Sequence, residues 1–376
     1  MRQPRGRRGR KNGRASRDRT RRSPWIAIPR RGRGRNGVVR SEGASGTDRG
    51  SLRRVCGPSE TSDLRVHWQE GRRIAKSLHG VARALIRCYP FPYGQGRLID
   101  RSWLGRVRFD EPFMTIRARA GFQMRIMPND HIGRHLYLTG SFDPAIVRTL
   151  RYFAVDGDRF LDVGANIGFV SCALLAALPR CQVVAVEPLR QCYELLAQNL
   201  GHVGGRRGVA VHAAISDRLG NGVMSLREGN TGASRLVPQD PSTIPTPPDQ
   251  LDSVRMLTAE KLMEEVDLQG VDLIKIDVEG HEEAVLRSLS PIIARHNPRA
   301  ILFEHHGSLD HPKSFIRGLF EDLRYRIFGL QKTLFRLRLV SLERLVAQGR
   351  SAPDYLAVSP SIDKFQIRSL ARNTVL

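Results

Sequence analysis

The sequence predicts an α/β fold whose mainly parallel sheet is covered by helices on both faces. Three observations carry that prediction. A chain of 376 residues can bury a full α/β domain of roughly 200–250 residues with extensions to spare. From residue 159 onward, short apolar runs alternate with segments of helical periodicity, the pattern of a parallel sheet with crossover helices. Two later apolar pieces, Tyr325–Leu330 and Tyr355–Val358, are placed to form an antiparallel pair at one edge.

The expected strands are Phe160–Val163, Gln182–Val186, Val209–His212, Asp272–Ile276 and Ala300–Phe303, and the expected helices lie near 168–178, 189–200, 258–266, 280–289 and 312–323. Upstream, Ile74, Leu78, Val81 and Leu85 recur at helical spacing among arginines, which predicts a basic amphipathic helix between 62 and 87. Such a helix packs on its own domain or lies on a membrane surface. In "GFQMRIMPND", Phe122, Met124 and Ile126 alternate with polar residues, a strand ended by Pro128-Asn129-Asp130. Asp143-Pro144 is a helix start, with Val147, Leu150 and Phe153 on its apolar face. Residues 237–250 read as a loop punctuated by five prolines.

Charge divides the chain. Residues 1–60 hold 19 Lys/Arg against 4 Asp/Glu, so most of the formal +24 lies in a tail rich in Arg, Gly and Ser. That composition cannot bury enough surface to fold, and the tail is expected to be disordered. Only 7 of the 61 basic residues are Lys, an arginine skew throughout the chain that points to a GC-rich coding sequence and to an incidental or misassigned start region. The expected organisation is therefore a tail over 1–60, a helical and strand extension over 61–128, and a main domain over 129–376 with its core at 150–306. Five cysteines without a CxxC pair indicate neither a zinc site nor a disulfide framework, and fit a reducing compartment. The longest largely apolar stretch, Phe169–Leu178, is too short to span a membrane. A cytoplasmic protein is expected, with peripheral membrane contact left open.

In an open parallel sheet, ligands bind beyond the carboxyl ends of the strands. "FLDVGANIGF" stands at such an end. Gly164 can turn the chain, Gly168 can bring it close to a ligand, and Asp162 offers an acceptor beside the cavity. Nineteen residues after Gly168, Glu187 ends the second strand, where a carboxylate can accept both hydroxyl hydrogens of a ribose. A dinucleotide normally requires G-x-G-x-x-G at this turn, and an acid there would repel its pyrophosphate. An acid attracts the sulfonium and ammonium of S-adenosylmethionine instead.

A second constellation, "DLIKIDVEGHEEAVL", ends a strand in Asp277, Glu279 and His281, with Lys275 just inside and expected to pair with one of the acids. Taken in order and spacing, "FLDVGANIGFVS", "VVAVEP", "AAIS", "IKIDVEGHEEAVL" and "ILFEHH" resemble the FkbM family of S-adenosylmethionine-dependent methyltransferases, over roughly residues 130–305. "GNTGASRL" (229–236) is similar to the family's polar segment. The chain departs from the family at Thr258-Ala259-Glu260, where Thr-Leu-Asp is usual, and at "AQNLGHVGG". The resemblance implies a seven-stranded, Rossmann-like class I methyltransferase with an antiparallel edge strand. It also implies methyl transfer to a hydroxyl of a small-molecule or glycan acceptor, such as a sugar or polyketide. By motif, Asp162, Gly164, Asn166 and Gly168 would surround the methionine part of the cofactor, Glu187 would hold the ribose, and Ala214 and Ile215 would lie beside the adenine.

A sugar hydroxyl must lose its proton during or after attack, so a carboxylate or histidine base is expected. Glu279 and His281 are the favoured candidates, with Asp277 and Glu304 as rivals. Adjacent side chains in "FEHH" point apart and show no third metal ligand, so no metal is expected. The basic tail raises the alternative of a nucleic-acid methyltransferase. "DVEG" is not the proline-proline-aromatic turn that suits an extruded base, however, and no Pro-Cys nucleophile occurs. A non-enzymatic basic binding module is the other alternative, and it would not be expected to retain Asp162, both glycines and Glu187.

Overall fold

The structure, a computed structural model, describes residues 80–89, 91, 93–237, 250–307, 309–311 and 313–372. The tail over 1–60, the first part of the amphipathic helix and most of the proline-punctuated loop lie outside them. All the described residues belong to the unit that follows residue 59.

The described part begins with helix α1 (residues 80–87), which buries Ala82 and Ile86 against Ile99, Leu104 and Leu138 and leaves Val81 and Leu85 exposed. The buried stripe thus runs one residue later than the sequence pattern placed it. Local contacts explain the shift: the Arg83 guanidinium lies 5.2 Å from the Tyr137 ring centre, and Arg119 donates to the Arg87 carbonyl. Helix α2 (Gln95–Arg101) follows, and then an antiparallel hairpin of β1 (Met114–Arg117) and β2 (Gln123–Ile126). Met124 and Ile126 face inward and Gln123 and Arg125 outward, as the alternation predicts.

Helix α3 (His131–Thr139) starts at Asp130, whose carboxylate accepts from the Ile132 amide. Helix α4 (Pro144–Phe153) starts at Asp143, which accepts from the Ile146 amide, with proline in the first turn.

The alternating part of the chain runs β3 (Arg159–Val163), α5 (Phe169–Ala177), β4 (Gln182–Glu187), α6 (Arg190–Gly204) and β5 (Gly208–His212). Four short strands then form a separate sheet: β6 (Ala214–Ile215), β7 (Gly220–Ser225), β8 (Arg235–Val237) and β9 (Leu251–Leu257), in the order β6-β9-β7-β8. The main sheet resumes with α7 (Ala259–Glu265), β10 (Leu273–Ile276), α8 (Glu282–His296) and β11 (Ala300–Glu304). It closes with α9 (Phe315–Asp322), β12 (Arg326–Lys332), β13 (Leu337–Ser341), α10 (Leu342–Ala347), β14 (Asp354–Val358) and α11 (Lys364–Arg372).

Among the described residues the main sheet has eight strands, ordered β13-β12-β14-β11-β10-β3-β4-β5. The run from β11 to β5 is parallel, and β14 pairs antiparallel with both β11 and β12. The eighth strand, β13, adds one to the seven implied by the resemblance. Its turn is closed by Thr333, whose amide and hydroxyl both donate to the Arg336 carbonyl. No glycine, asparagine or proline marks that turn, so the sequence carried no hairpin signal.

Side chains alternate across the parallel strands and divide the core in two. Phe160, Val183, Ala185, Leu273 and Leu302 pack towards α4, α5, α6 and the β1–β2 hairpin. Leu161, Val163, Val184, Val186, Ile274 and Phe303 pack towards α7, α8 and α9. The β3–β10 register sets Asp162 beside Lys275 in the middle of the sheet, each one residue before the carboxyl end of its strand.

Candidate functional site

The carboxyl ends of β3, β4, β10 and β11, and the chain beyond β5, converge on two adjoining clefts, one small and one larger. The clefts share Ile132, Gly164, Asn166, Gly232, Asp277 and Glu279.

The smaller cleft is built around Glu187. This residue is 4% exposed, and its two carboxylate oxygens accept from the Asn166 amide at 2.8 Å and the Leu189 amide at 3.0 Å. Burial pushes its pKa up to about 7, against the pull of those two amides and of Lys275. Each oxygen keeps a second lone pair for a hydroxyl donor. Ala213, Ala214, Ile215, Met224 and Leu236 supply apolar wall, and Thr231 and Ser234 polar wall. One acid for a vicinal diol beside an apolar slot for a flat ring fits an adenosine. Thr231, Gly232 and Ser234 were not assigned a role from the sequence. They are placed by the Thr231 amide, which donates to Asp130 at 2.7 Å, and by the Asn166 side chain, which donates to the Thr231 hydroxyl at 3.2 Å.

Several expected cofactor residues do other work. Asp162 lines neither cleft: it is fully buried, accepting from the Ser171 hydroxyl at 2.6 Å and from Lys275 at 3.2 Å. Its strand alternation turns it into the sheet layer, where Lys275 neutralises it. Lys275 also donates to the Gly164 carbonyl at 3.1 Å and lies 3.3 Å from Asp277, so the expected pairing with an acid involves two of them. Gly168 lines neither cleft either, and a Cβ there would meet Leu196 at 2.6 Å; it lets α5 pack against α6. Gly164 has φ 77°, and a Cβ there would stand 1.7 Å from the Asp277 carbonyl oxygen. Its first constraint is therefore the protein's own β10 turn and not a ligand. Asn199, in the segment that departs from the family pattern, pins this region by donating to the Ile167 and Arg125 carbonyls and accepting from the Arg125 amide.

The larger cleft collects carboxyl groups: Asp143, Asp277, Glu279, Glu304 and Asp354, with Lys275 and Lys332 among them. Lys332 is held by Asp143 at 2.6 Å and Asp354 at 2.9 Å. Asp277 and Glu304 are hydrogen-bonded to each other, so one of the two must carry a proton. Burial, then that bond and the charges of Asp277, Asp354 and Glu279, push Glu304 up to about 9. Burial also disfavours the Asp277 charge, but Lys275 and the Glu304 hydrogen bond outweigh it and hold its pKa down. Glu279 is raised by burial and by Asp277. His306, which the sequence reading left unused, lies 3.1 Å from Glu304 and 3.8 Å from Glu279, with its side chain 61% exposed.

His281 lies elsewhere. It caps α8, its ring contacts the Ser216 hydroxyl at 3.0 Å, and it lines only the smaller cleft. Burial lowers its pKa. The sequence reading had grouped it with Glu279 on the acceptor side. A left-handed turn and the start of α8 separate their directions: Glu279 has φ 49° and the intervening Gly280 φ 93°, and this turn sends the two side chains to different walls.

Residues 162–327 match the methyltransferase FkbM domain. Over this part, a little under half of the chain, the sequence is similar to the FkbM methyltransferases. The cofactor is S-adenosylmethionine, and the donor set of the smaller cleft fits that molecule. The chain is 26% identical over 182 residues to the hexuronic acid methyltransferase AglP of Haloferax volcanii, covering 47% of this chain and 67% of that one. It is 27% identical over 153 residues to the methyltransferase sdnD of Sordaria araneosa, covering 34% of this chain and 59% of that one. The chain thus spans less than two thirds of the second relative. Among solved structures, a SAM-dependent O-methyltransferase of Thermotoga maritima shows 17% identity and a TM-score of 0.34 over 67% of this chain and 79% of its own. Likeness that faint carries no weight beside the strand order itself. Among the described residues, no helix is long and apolar enough to cross a membrane.

Proposed function

We propose that the FkbM-like part of this chain is an O-methyltransferase whose acceptor is a hydroxyl on a neutral or cationic polyhydroxylated metabolite, such as a sugar, glycan or polyketide. The observation that carries this reading is the larger cleft, lined with carboxyls and opening onto the cofactor cleft at Gly164, Asn166, Asp277 and Glu279. When bound, S-adenosylmethionine supplies a methyl group activated by its sulfonium. Glu187 and the Ala214–Ile215 wall hold the cofactor, and the shared residues bring the acceptor alongside it. Holding both reactants in one orientation contributes much of the acceleration in such a transfer.

An alcohol oxygen that gains a methyl group becomes far more acidic than any carboxylic acid, so a carboxylate at hand suffices to take its proton. Glu279 fills that role in this reading, because it lines both clefts as Asp277 does, but without a lysine holding its charge. His306 offers the proton a route to solvent, and the Asp277–Glu304 pair keeps a negative charge beside the reacting centre.

Charge narrows the acceptor. Lys275 and Lys332, the lysines on this wall, are both engaged by acids, and the remaining carboxyls repel an anion. A free carboxylate on the acceptor, as in the hexuronic acid for which the Haloferax relative is named, meets no unpaired lysine there. In this reading the enzyme works in the cytoplasm, where its cofactor is made.

The test is transfer of a ¹³C-methyl group from labelled S-adenosylmethionine to candidate acceptors, followed by NMR of the product. A new O-methyl signal on neutral polyols, absent with their uronic acid counterparts, is expected. Methyl groups on nitrogen, carbon or nucleic acid, or a preference for uronic acids, would overturn the reading. Comparing metabolites of a deletion strain with its parent identifies the natural acceptor.

A further inference from the structure

At the rim of the larger cleft, among residues to which the proposed methyl transfer gives no part, two histidines and an aspartate converge. His131 and His135 stand four residues apart on α3 and therefore share one face. Their ring centres are 4.3 Å apart. Asp100, in the last turn of α2, reaches across from its own helix. Its Oδ1 lies 2.8 Å from His135 Nε2 and 3.7 Å from His131 Nδ1. One donor atom from each residue fits within a 4.8 Å span.

We propose that Asp100, His131 and His135 bind a divalent cation of the zinc class and thereby staple α2 to α3.

The donor set argues for that class. Two imidazoles with one carboxylate suit Zn²⁺, Co²⁺ or Ni²⁺, whereas Mg²⁺ and Ca²⁺ select oxygen ligands. Metal–ligand bonds of about 2.0–2.2 Å at tetrahedral angles separate neighbouring donors by about 3.3 Å. The two distances to Asp100 bracket that value, so a small rotation of one carboxylate would bring both histidines into place. An ion pair alone would explain His135, which is buried, but not the second imidazole directed at the same oxygen. The Asp100 side chain is 46% exposed and that of His131 33%, which leaves a coordination position open to water.

The location gives the staple a consequence. His131 lines the larger cleft, and His135 lines a neighbouring one that shares Phe142, Asp143 and Lys332 with it. The preceding residue, Asp130, caps α3 and accepts from the Thr231 amide of the cofactor cleft. An ion that fixes the start of α3 therefore stiffens a wall common to both clefts. The sequence did contain the signal: His-x₃-His on a helix is a familiar half of a metal site. Its third ligand came from 31 residues upstream of His131, where no pattern marked it.

The experiment uses the full-length, tag-free protein, stripped with a chelator and dialysed. Co²⁺ is titrated in and its visible d–d absorption recorded, after which Zn²⁺ is titrated against a chromophoric chelator. One equivalent of Zn²⁺ is expected to bind, with a concentration-dependent rise in Tm. His131→Ala and His135→Ala should each weaken Zn²⁺ by about 100-fold, and Asp100→Asn by about 10-fold. S-adenosylhomocysteine calorimetry reports whether each variant remains folded. If His135→Ala does not fold, His131→Gln and Asp100→Asn, at more exposed positions, carry the test. Wild-type protein that binds no more Zn²⁺ than the triple variant would overturn the proposal. So would folded single variants with wild-type affinity, because the ion would then sit on other histidines.

Discussion

The two clefts meet along six shared residues, yet their acids are treated in opposite ways. In the smaller one, Glu187 has a backbone amide on each oxygen before any ligand arrives. In the larger one, five carboxyls face two lysines, and Glu304 retains a proton well above the usual carboxylate range. Satisfied groups make a rigid receptor, because little rearranges on binding. Crowded carboxyls make a reactive surface, because protons there move at little cost. In the proposed reading this contrast puts recognition on one side and chemistry on the other, and it can be broken at defined points.

The largest effect should come from the corner the clefts share. Gly164→Val would place a side chain against the Asp277 carbonyl, whose oxygen would stand 1.7 Å from the added Cβ. A loss of more than about 4 kcal/mol in urea unfolding, or no folded protein at all, is expected. A folded Gly164→Val protein that merely loses S-adenosylhomocysteine would show that the glycine serves the ligand instead.

Next comes the division of labour itself. Glu279→Gln should lower kcat by ~10²–10⁴ while leaving S-adenosylhomocysteine affinity within about twofold. Single-turnover rates and calorimetry separate the two. Equal losses in both would erase the distinction between the clefts at this residue.

The pH dependences are smaller and of calculable sign. In the proposed reading Glu187 binds ribose hydroxyls as a carboxylate, and burial raises its pKa to about 7, so S-adenosylhomocysteine affinity should rise about tenfold from pH 6 to pH 8. Glu187→Gln should bind more weakly, with a flat profile. Glu304 has a raised pKa in the folded state, so the folded protein holds a proton that the unfolded chain releases. Its contribution to stability is complete below the ordinary carboxylate pKa and is lost as pH rises through about 9. Tm should therefore decline towards pH 9, and Glu304→Gln should flatten that decline. An unchanged slope in the variant would remove the shared proton from the account of this cleft.

Much of this could be read from the chain alone, for a physical reason. Glu187, Asp277, Glu279 and Glu304 stand at or just beyond the ends of apolar runs that can only be buried strands, and a parallel sheet brings such ends to one edge. Direction was harder to read. Asp162 lies two residues before Gly164, and only the β3–β10 register shows that Lys275 is its partner. His281 is separated from Glu279 by a left-handed turn that reverses its aim. The second sheet was missed because β7, "GNGVMS", has two glycines and few apolar residues, and is stabilised mainly by pairing with β9. Thr231 and His306 were out of reach because neither role is local: one depends on Asp130, the other on acids from β11 and the turn after β10.

The backbone at Glu279 has a bearing on how such a sequence drifts over generations. A glutamate at φ 49° sits in a conformation that glycine adopts more readily. Replacement by glycine should relieve roughly 1 kcal/mol of strain while removing the proposed proton acceptor, so purifying selection on catalysis and selection on stability pull in opposite directions here. Lineages in which this domain has given up its reaction are expected to carry glycine or asparagine at this position before other parts of the sheet edge decay. A survey of descendants would then reveal lost activity from one residue.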